Sequence, residues 1–159
     1  MSFDFDPNSF ISQETTTQSE KRPPIPAQDY VATIKEIKAD RWQSKDKLDE
    51  ATGELKSGPK FNISLVLDLP EAVRTQCKIE TMTLTDGVML DVVPGGTALD
   101  YSIGKNNRLR AYREATDLNR AGEPFAPGML IGKLVKVRVT HDVWQGAIQE
   151  KPGAIAKVA

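Results

Sequence analysis

The sequence predicts a mainly β domain: five strands wound as a Greek-key barrel, one helix between the third and fourth strands, and a disordered N-terminal tail. Three observations carry this. From Lys60, KFNISLVLDL alternates polar and apolar residues, and from Gly128, GMLIGKLVKVRVT ends in a second alternating run; period 2 is the signature of a half-buried strand. Between them, NNRLRAYREATDLNRAGEPF places Leu109, Ala111, Tyr112, Ala115 and Leu118 within about half of a helical circumference. No other stretch reads as helix.

Residues 1–26 form the tail. They are rich in Ser, Thr, Gln and Pro and offer too little apolar surface to offset the entropy of ordering. Pro23, Pro24 and Pro26 mark the boundary, and residues 27–159 form the domain. Its first strand is predicted over Tyr30 to Trp42. Tyr30, Ala32 and Ile34 share one side, and Ile37 breaks the period, which predicts a bulge after Ile34. QSKDKLDEATGELKSGP follows as a long polar loop, a frequent carrier of function. In the second strand Phe61, Ile63, Leu65 and Leu67 face inward until Pro70 stops it. KIETMTLTDGVML is further β structure with a turn expected at Asp86–Gly87. The helix is predicted to start at Asn106 or Asn107 and to stop at Gly122 and Pro124. Pairs at i,i+4 join Arg110 to Glu114 and Arg113 to Asp117 on its solvent face, leaving Lys105 and Arg108 free. Val135, Val137 and Val139 then face inward, and GAIAKVA closes the sheet. Three strands, a helix and two strands is the order of the OB-fold, a five-stranded barrel plugged at one end by its helix. A generic α+β sandwich gives the same string.

Composition narrows the function. The chain has one cysteine, Cys77, and one histidine, His141, too few for a disulfide or a customary zinc site. There is no phosphate-binding glycine loop and no nucleophile elbow, so neither catalysis nor a cofactor is expected. No apolar run approaches the roughly 20 residues that span a bilayer, and no secretory pattern opens the chain; a cytoplasmic setting is the expectation. Residues 1–20 hold four acids and no base, so the rest carries 21 basic against 22 − 4 = 18 acidic residues, a net charge of +3. A mildly basic body suits a polyanionic partner, although it is also an ordinary surface.

Binding to single-stranded nucleic acid needs cations for phosphates and flat rings for bases. Arg41, Trp42, Lys45, Lys47, Lys60, Lys136, Arg138 and Trp144 supply both, on strands one, two and four and the first loop. The competing reading makes the tryptophans core closures and the lysines protectors of strand edges. In the tail, Phe3, Phe5 and Phe10 interleave with Asp4 and Asp6. Such a segment can dock on a basic groove or on replication and recombination proteins; packing against a neighbouring subunit of a homo-oligomer, or no role, is the plainer alternative.

From about Pro24 to Val158 the chain resembles the small phage-encoded single-stranded DNA-binding proteins with an OB-fold. IPAQDYVATIKEIK, FNISLVLDL, the arginine-rich LRAYREATDLN, and LIGKLVKVRV with Gly132–Lys133 opening a strand carry the likeness. The resemblance implies coating of exposed single strands during phage DNA replication or recombination, in the host cytoplasm and without strong sequence preference. It departs from the family at its ends. Such proteins often finish in an acidic tail tipped by an aromatic residue, whereas this chain ends AIAKVA and carries FDFDPNSF at the other terminus. The alternative is a structural or adaptor β-barrel whose partner is a protein. An RNA-binding version fits the same residues, since nothing among them reads the 2′-hydroxyl.

Overall fold

A computed structural model describes residues 5–159. Phe3 and Asp4 of the acidic aromatic segment lie outside the described residues. The chain is mainly β: strands β1 (Asp29–Leu48), β2 (Leu55–Leu67), β3 (Met82–Met89), β4 (Leu134–Trp144) and β5 (Ala147–Ala156), with helices α1 (Glu71–Cys77) and α2 (Asn107–Ala115). They form one antiparallel sheet in the order β3-β2-β1-β4-β5. The outer strands β3 and β5 approach to within 8 Å between Cα atoms, yet no ladder joins them and the sheet is not closed.

Inward alternation builds the core. Tyr30, Ala32 and Ile34, then Ile63, Leu65 and Leu67, then Val135, Val137 and Val139 are all buried. The expected bulge lies between Ile34 and Glu36, and restores Ile37 to the face of Ile63. Leu109, Tyr112 and Ala115 of α2 cover one end of this core. Ile25 is fully buried with them, so packing reaches back to the prolines before the first strand. There His141 Nε2 lies 2.7 Å from the Ile25 carbonyl, and the Cys77 thiol donates to the Pro24 carbonyl at 3.5 Å. Among the described residues no helix is long and apolar enough to cross a membrane.

Several expectations need correction. The long polar loop is largely a hairpin: β1 and β2 stay paired through Trp42↔Gly58 and Gln43↔Ser57, with Leu48↔Leu55 before the turn. A charged ribbon with no fully buried residue keeps its pairing without an apolar stripe, which is why alternation could not reveal it. The helix is not alone. In α1, Val73 and Cys77 sit four apart and turn one face into the core, and Lys78 ends the helix in the left-handed region at φ 54°. Asp86–Gly87 is no turn; both residues lie inside β3, paired with Ile63 and Asn62. Asp86 points inward because the helix supplies partners: its Oδ2 accepts from the Tyr112 hydroxyl at 2.6 Å and from Arg108 Nε at 2.8 Å. Arg108 is therefore committed rather than free.

Helix α2 also stops earlier than Gly122. Asp117 adopts φ 59°, and the Leu118 amide reaches back to the Arg113 carbonyl at 2.8 Å while Asp117 N–H bonds Glu114. This is a Schellman turn with Asp where Gly is usual. It removes Asp117 from the helical spacing, so the Arg113–Asp117 pair does not form; Asp117 binds Lys157 at 2.8 Å instead. The Arg110–Glu114 pair is present at 3.6 Å. Asn106 stands at the N-cap position in a left-handed conformation and makes no side-chain cap. Its amide instead donates to the carbonyls of Asp91 and Asp100, both at 2.8 Å, pinning the loop before the helix.

Candidate nucleic-acid interface

The β1–β2 hairpin alternates its side chains as far as Gln43, and a register irregularity follows between Gln43 and Leu48. Trp42 lies opposite Gly58, and its indole covers that glycine closely: a Cβ at Gly58 would stand 2.7 Å from Trp42 Nε1. A glycine is what lets a ring lie across the backbone of the neighbouring strand. Trp42 Nε1 is buried there without a hydrogen-bond partner. With Gln43, Ser44, Lys47, Lys56 and Met89, Trp42 lines a groove of about 380 Å³.

The second hairpin, β4–β5, meets the first. Lys45 Nζ stands 6.0 Å from the Trp144 ring centroid, within reach of a cation–π contact, and Trp144 remains 55% exposed. β1 and β4 pair only near the start of β1, at Asp29–Thr33, so this contact joins them again far from their ladder. The stems of the first hairpin carry Arg41, Lys45, Lys47, Lys56 and Lys60, while Asp49, Glu50 and Glu54 gather at its turn. Three acids thus sit at the tip, while Asp40 and Asp46 lie among the cations of the stem.

Lys60 joins this surface through the sheet, opposite Asp40 on β1 and Met89 on β3. Asp40 tempers it. The Arg41 backbone N–H and the Asn62 side chain hold the Asp40 carboxyl below the usual range, and the Lys60 charge adds to that. Arg41 points to the other face from Trp42 and donates to Ser57 Oγ at 2.7 Å.

Lys136 and Arg138 are not brought into the groove. They lie opposite Val31 and Asp29, at the start of β1, and Arg138 bridges Asp29 at 3.6 Å. Trp42 is 13 residues further along that strand, a run of up to about 43 Å if straight. In the tail, Phe5 and Phe10 pair with centroids 5.4 Å apart across a short 3-10 turn, Pro7–Phe10, capped by Asp6; all are exposed. Lys56, Gly58 and Met89 were missed by sequence reasoning. Gly58 reads as a loop breaker until the hairpin register sets it beneath Trp42. Among the described residues no group of three or more His, Cys, Asp or Glu side chains could hold a metal ion.

No protein-family model matches this chain, and no curated protein sequence matches it.

Proposed function

We propose that this chain is a non-enzymatic, OB-fold-like single-stranded DNA-binding protein that coats exposed strands during replication or recombination, as its resemblance to phage-encoded proteins implies. The sheet order, the helix between the third and fourth strands, and the approach of β3 to β5 support a nearly closed barrel of that kind. The carrying observation is that both tryptophans stand among lysines on the two hairpins: Trp42 lines a groove with Lys47 and Lys56, and exposed Trp144 lies beside Lys45. Rings stack on any base and lysines neutralise phosphates, so such a surface binds with little sequence preference.

A protein-binding adaptor is the second reading, and one observation favours it. Val143, Trp144 and Ile148 are all more than half exposed on the second hairpin, and Val143 pairs with Ile148, apolar surface that also suits a protein.

An electrophoretic shift of labelled oligo-dT across a salt series separates the two. The DNA reading expects binding at low salt that weakens as salt rises, because each neutralised phosphate releases counterions. Trp144→Ala should weaken binding by about 1–3 kcal/mol, the worth of a stacked base, with the salt slope little changed. Arg138→Ala, already ion-paired and set apart from the groove, should matter less. A folded protein that shifts no oligonucleotide at low salt sinks this reading and leaves the adaptor.

A further inference from the structure

The arginines of α2 depart from what their spacing predicts, and the departure exposes a second cationic site. With Asp117 turned away to Lys157, Arg113 has no carboxylate partner among the described residues. Its guanidinium lies 4.2 Å from the Phe125 ring centroid and 5.4 Å from that of Tyr101. Those two rings meet edge to face with centroids 6.4 Å apart, and Arg113 Nε donates to the Leu118 carbonyl at 3.2 Å. These contacts fix the guanidinium while its terminal nitrogens keep no hydrogen-bond partner among the described residues. A guanidinium held in this way offers a rigid fork of N–H donors, which matches two oxygens of one phosphate.

Arg113 lines a cavity of about 200 Å³ together with Tyr101, Lys105, Asn106, Arg110 and Asn119. No carboxylate lines it. Three acids are bonded to residues of the lining without being part of it: Glu114 to Arg110 at 3.6 Å, Asp100 to the Ser102 hydroxyl at 2.6 Å, and Asp91 to the Asn106 backbone N–H at 2.8 Å. Lys105 has no ion pair among the described residues. A short stretch of backbone links the cavity to the tryptophan groove. Asn106 in its lining accepts from the Asp91 amide at 2.8 Å, and Met89, two residues earlier, lines the groove. Two residues of extended chain span about 7 Å.

We infer that this cavity is a phosphate-binding site that takes the backbone of a single DNA strand as it leaves the groove past Met89. The inference rests on the DNA-binding reading above and extends its path to residues of the helix end. An acidic peptide offers oxyanions too, but the continuity with a base-stacking groove favours the nucleic acid.

Fluorescence anisotropy on the full chain tests this, with dT oligonucleotides of about 5 and about 20 nucleotides, near the short end and beyond the long end of the range covered by one such module. Arg113→Gln should weaken binding of the longer oligonucleotide severalfold and lower its salt slope by about 0.7, one phosphate's share. The shorter one, accommodated by the groove, should change less. Arg113 packs on aromatic rings, so the double variant Lys105→Gln/Arg110→Gln, confined to exposed side chains, guards against a folding defect and should show the same length dependence. Wild-type affinity and slope for the longer oligonucleotide in both variants would overturn the inference while leaving the groove intact. A wild-type protein that binds neither length refutes the groove reading itself and this site with it. If the variants lose binding of a synthetic peptide of residues 1–20 but keep DNA binding unchanged, the cavity is a peptide site and the inference fails.

Discussion

Gly58 shows how a residue without a side chain can set a binding surface. Its missing Cβ leaves room for the Trp42 indole, whose Nε1, Cε2 and Cζ2 would lie 2.7, 2.9 and 3.0 Å from one. Gly58→Ala should therefore displace the ring and lower oligo-dT affinity as far as Trp42→Ala does, roughly tenfold. The thermal midpoint should move little, because the site is on a projecting hairpin; tryptophan emission and anisotropy on the same sample check both. Tyr112 lies at the opposite extreme, in the core. Burial first, and the Asp86 charge second, push its phenol above the ordinary 10.0. An unfolded tyrosine releases its proton above that pH while the folded one keeps it, so stability is full below pH 10 and falls as pH rises beyond it. Urea midpoints between about pH 8 and 11 should fall more steeply for wild type than for Tyr112→Phe, and parallel curves would contradict the buried Asp86–Tyr112 contact. Inward residues such as Val135 and Ile63 were legible because alternation encodes them. Asp86 was not: Asp-Gly is a turn signal by local chemistry, and only a distant Arg and Tyr make an inward carboxylate tolerable.

At the level of elements, legibility followed the source of stability. Strands β2 and β4 bury one face, and each announces itself by alternation. Helix α1 has seven residues, too few for a period to emerge, and is held by two of them, Val73 and Cys77. The outer half of the β1–β2 hairpin buries almost nothing, so composition reads it as loop although its ladder persists to Leu48 and Leu55. That difference has a testable consequence. Joining Gln43 to Ser57, a paired register position, through an Asn-Gly turn removes Lys45, Lys47 and Lys56 and keeps the core. The shortened protein should unfold within about 5 °C of wild type, as expected when about 1 kcal/mol or less is at stake. Its oligo-dT affinity should drop at least tenfold. Equal affinity would move the binding surface away from this hairpin.

For the whole molecule the governing quantity is the distribution of charge. The chain carries −1 overall, but −4 of that sits in residues 1–20, and the remainder is +3. Among the described residues of that segment none forms an ion pair with the body; the first to do so is Arg22, which bridges Glu150 at 3.0 Å. This ion pair tethers the segment beside β5, the strand that carries one side of the Trp144 hairpin, and Glu14 and Glu20 have no ion pair among the described residues. Charges of this kind lower the local potential that draws a polyanion in, over a range of about 10 Å at 0.1 M salt. Removing residues 1–20 should tighten oligo-dT binding severalfold at about 0.05 M salt, chiefly through faster association, and the gain should vanish near 1 M, where the screening length is about 3 Å. Stopped-flow association rates at both salts measure this directly. An unchanged rate at low salt would show that the tail's acids do not reach the hairpins. A slower one would mean that Phe5 and Phe10 contribute contacts of their own, and the segment would then belong to the binding surface rather than oppose it.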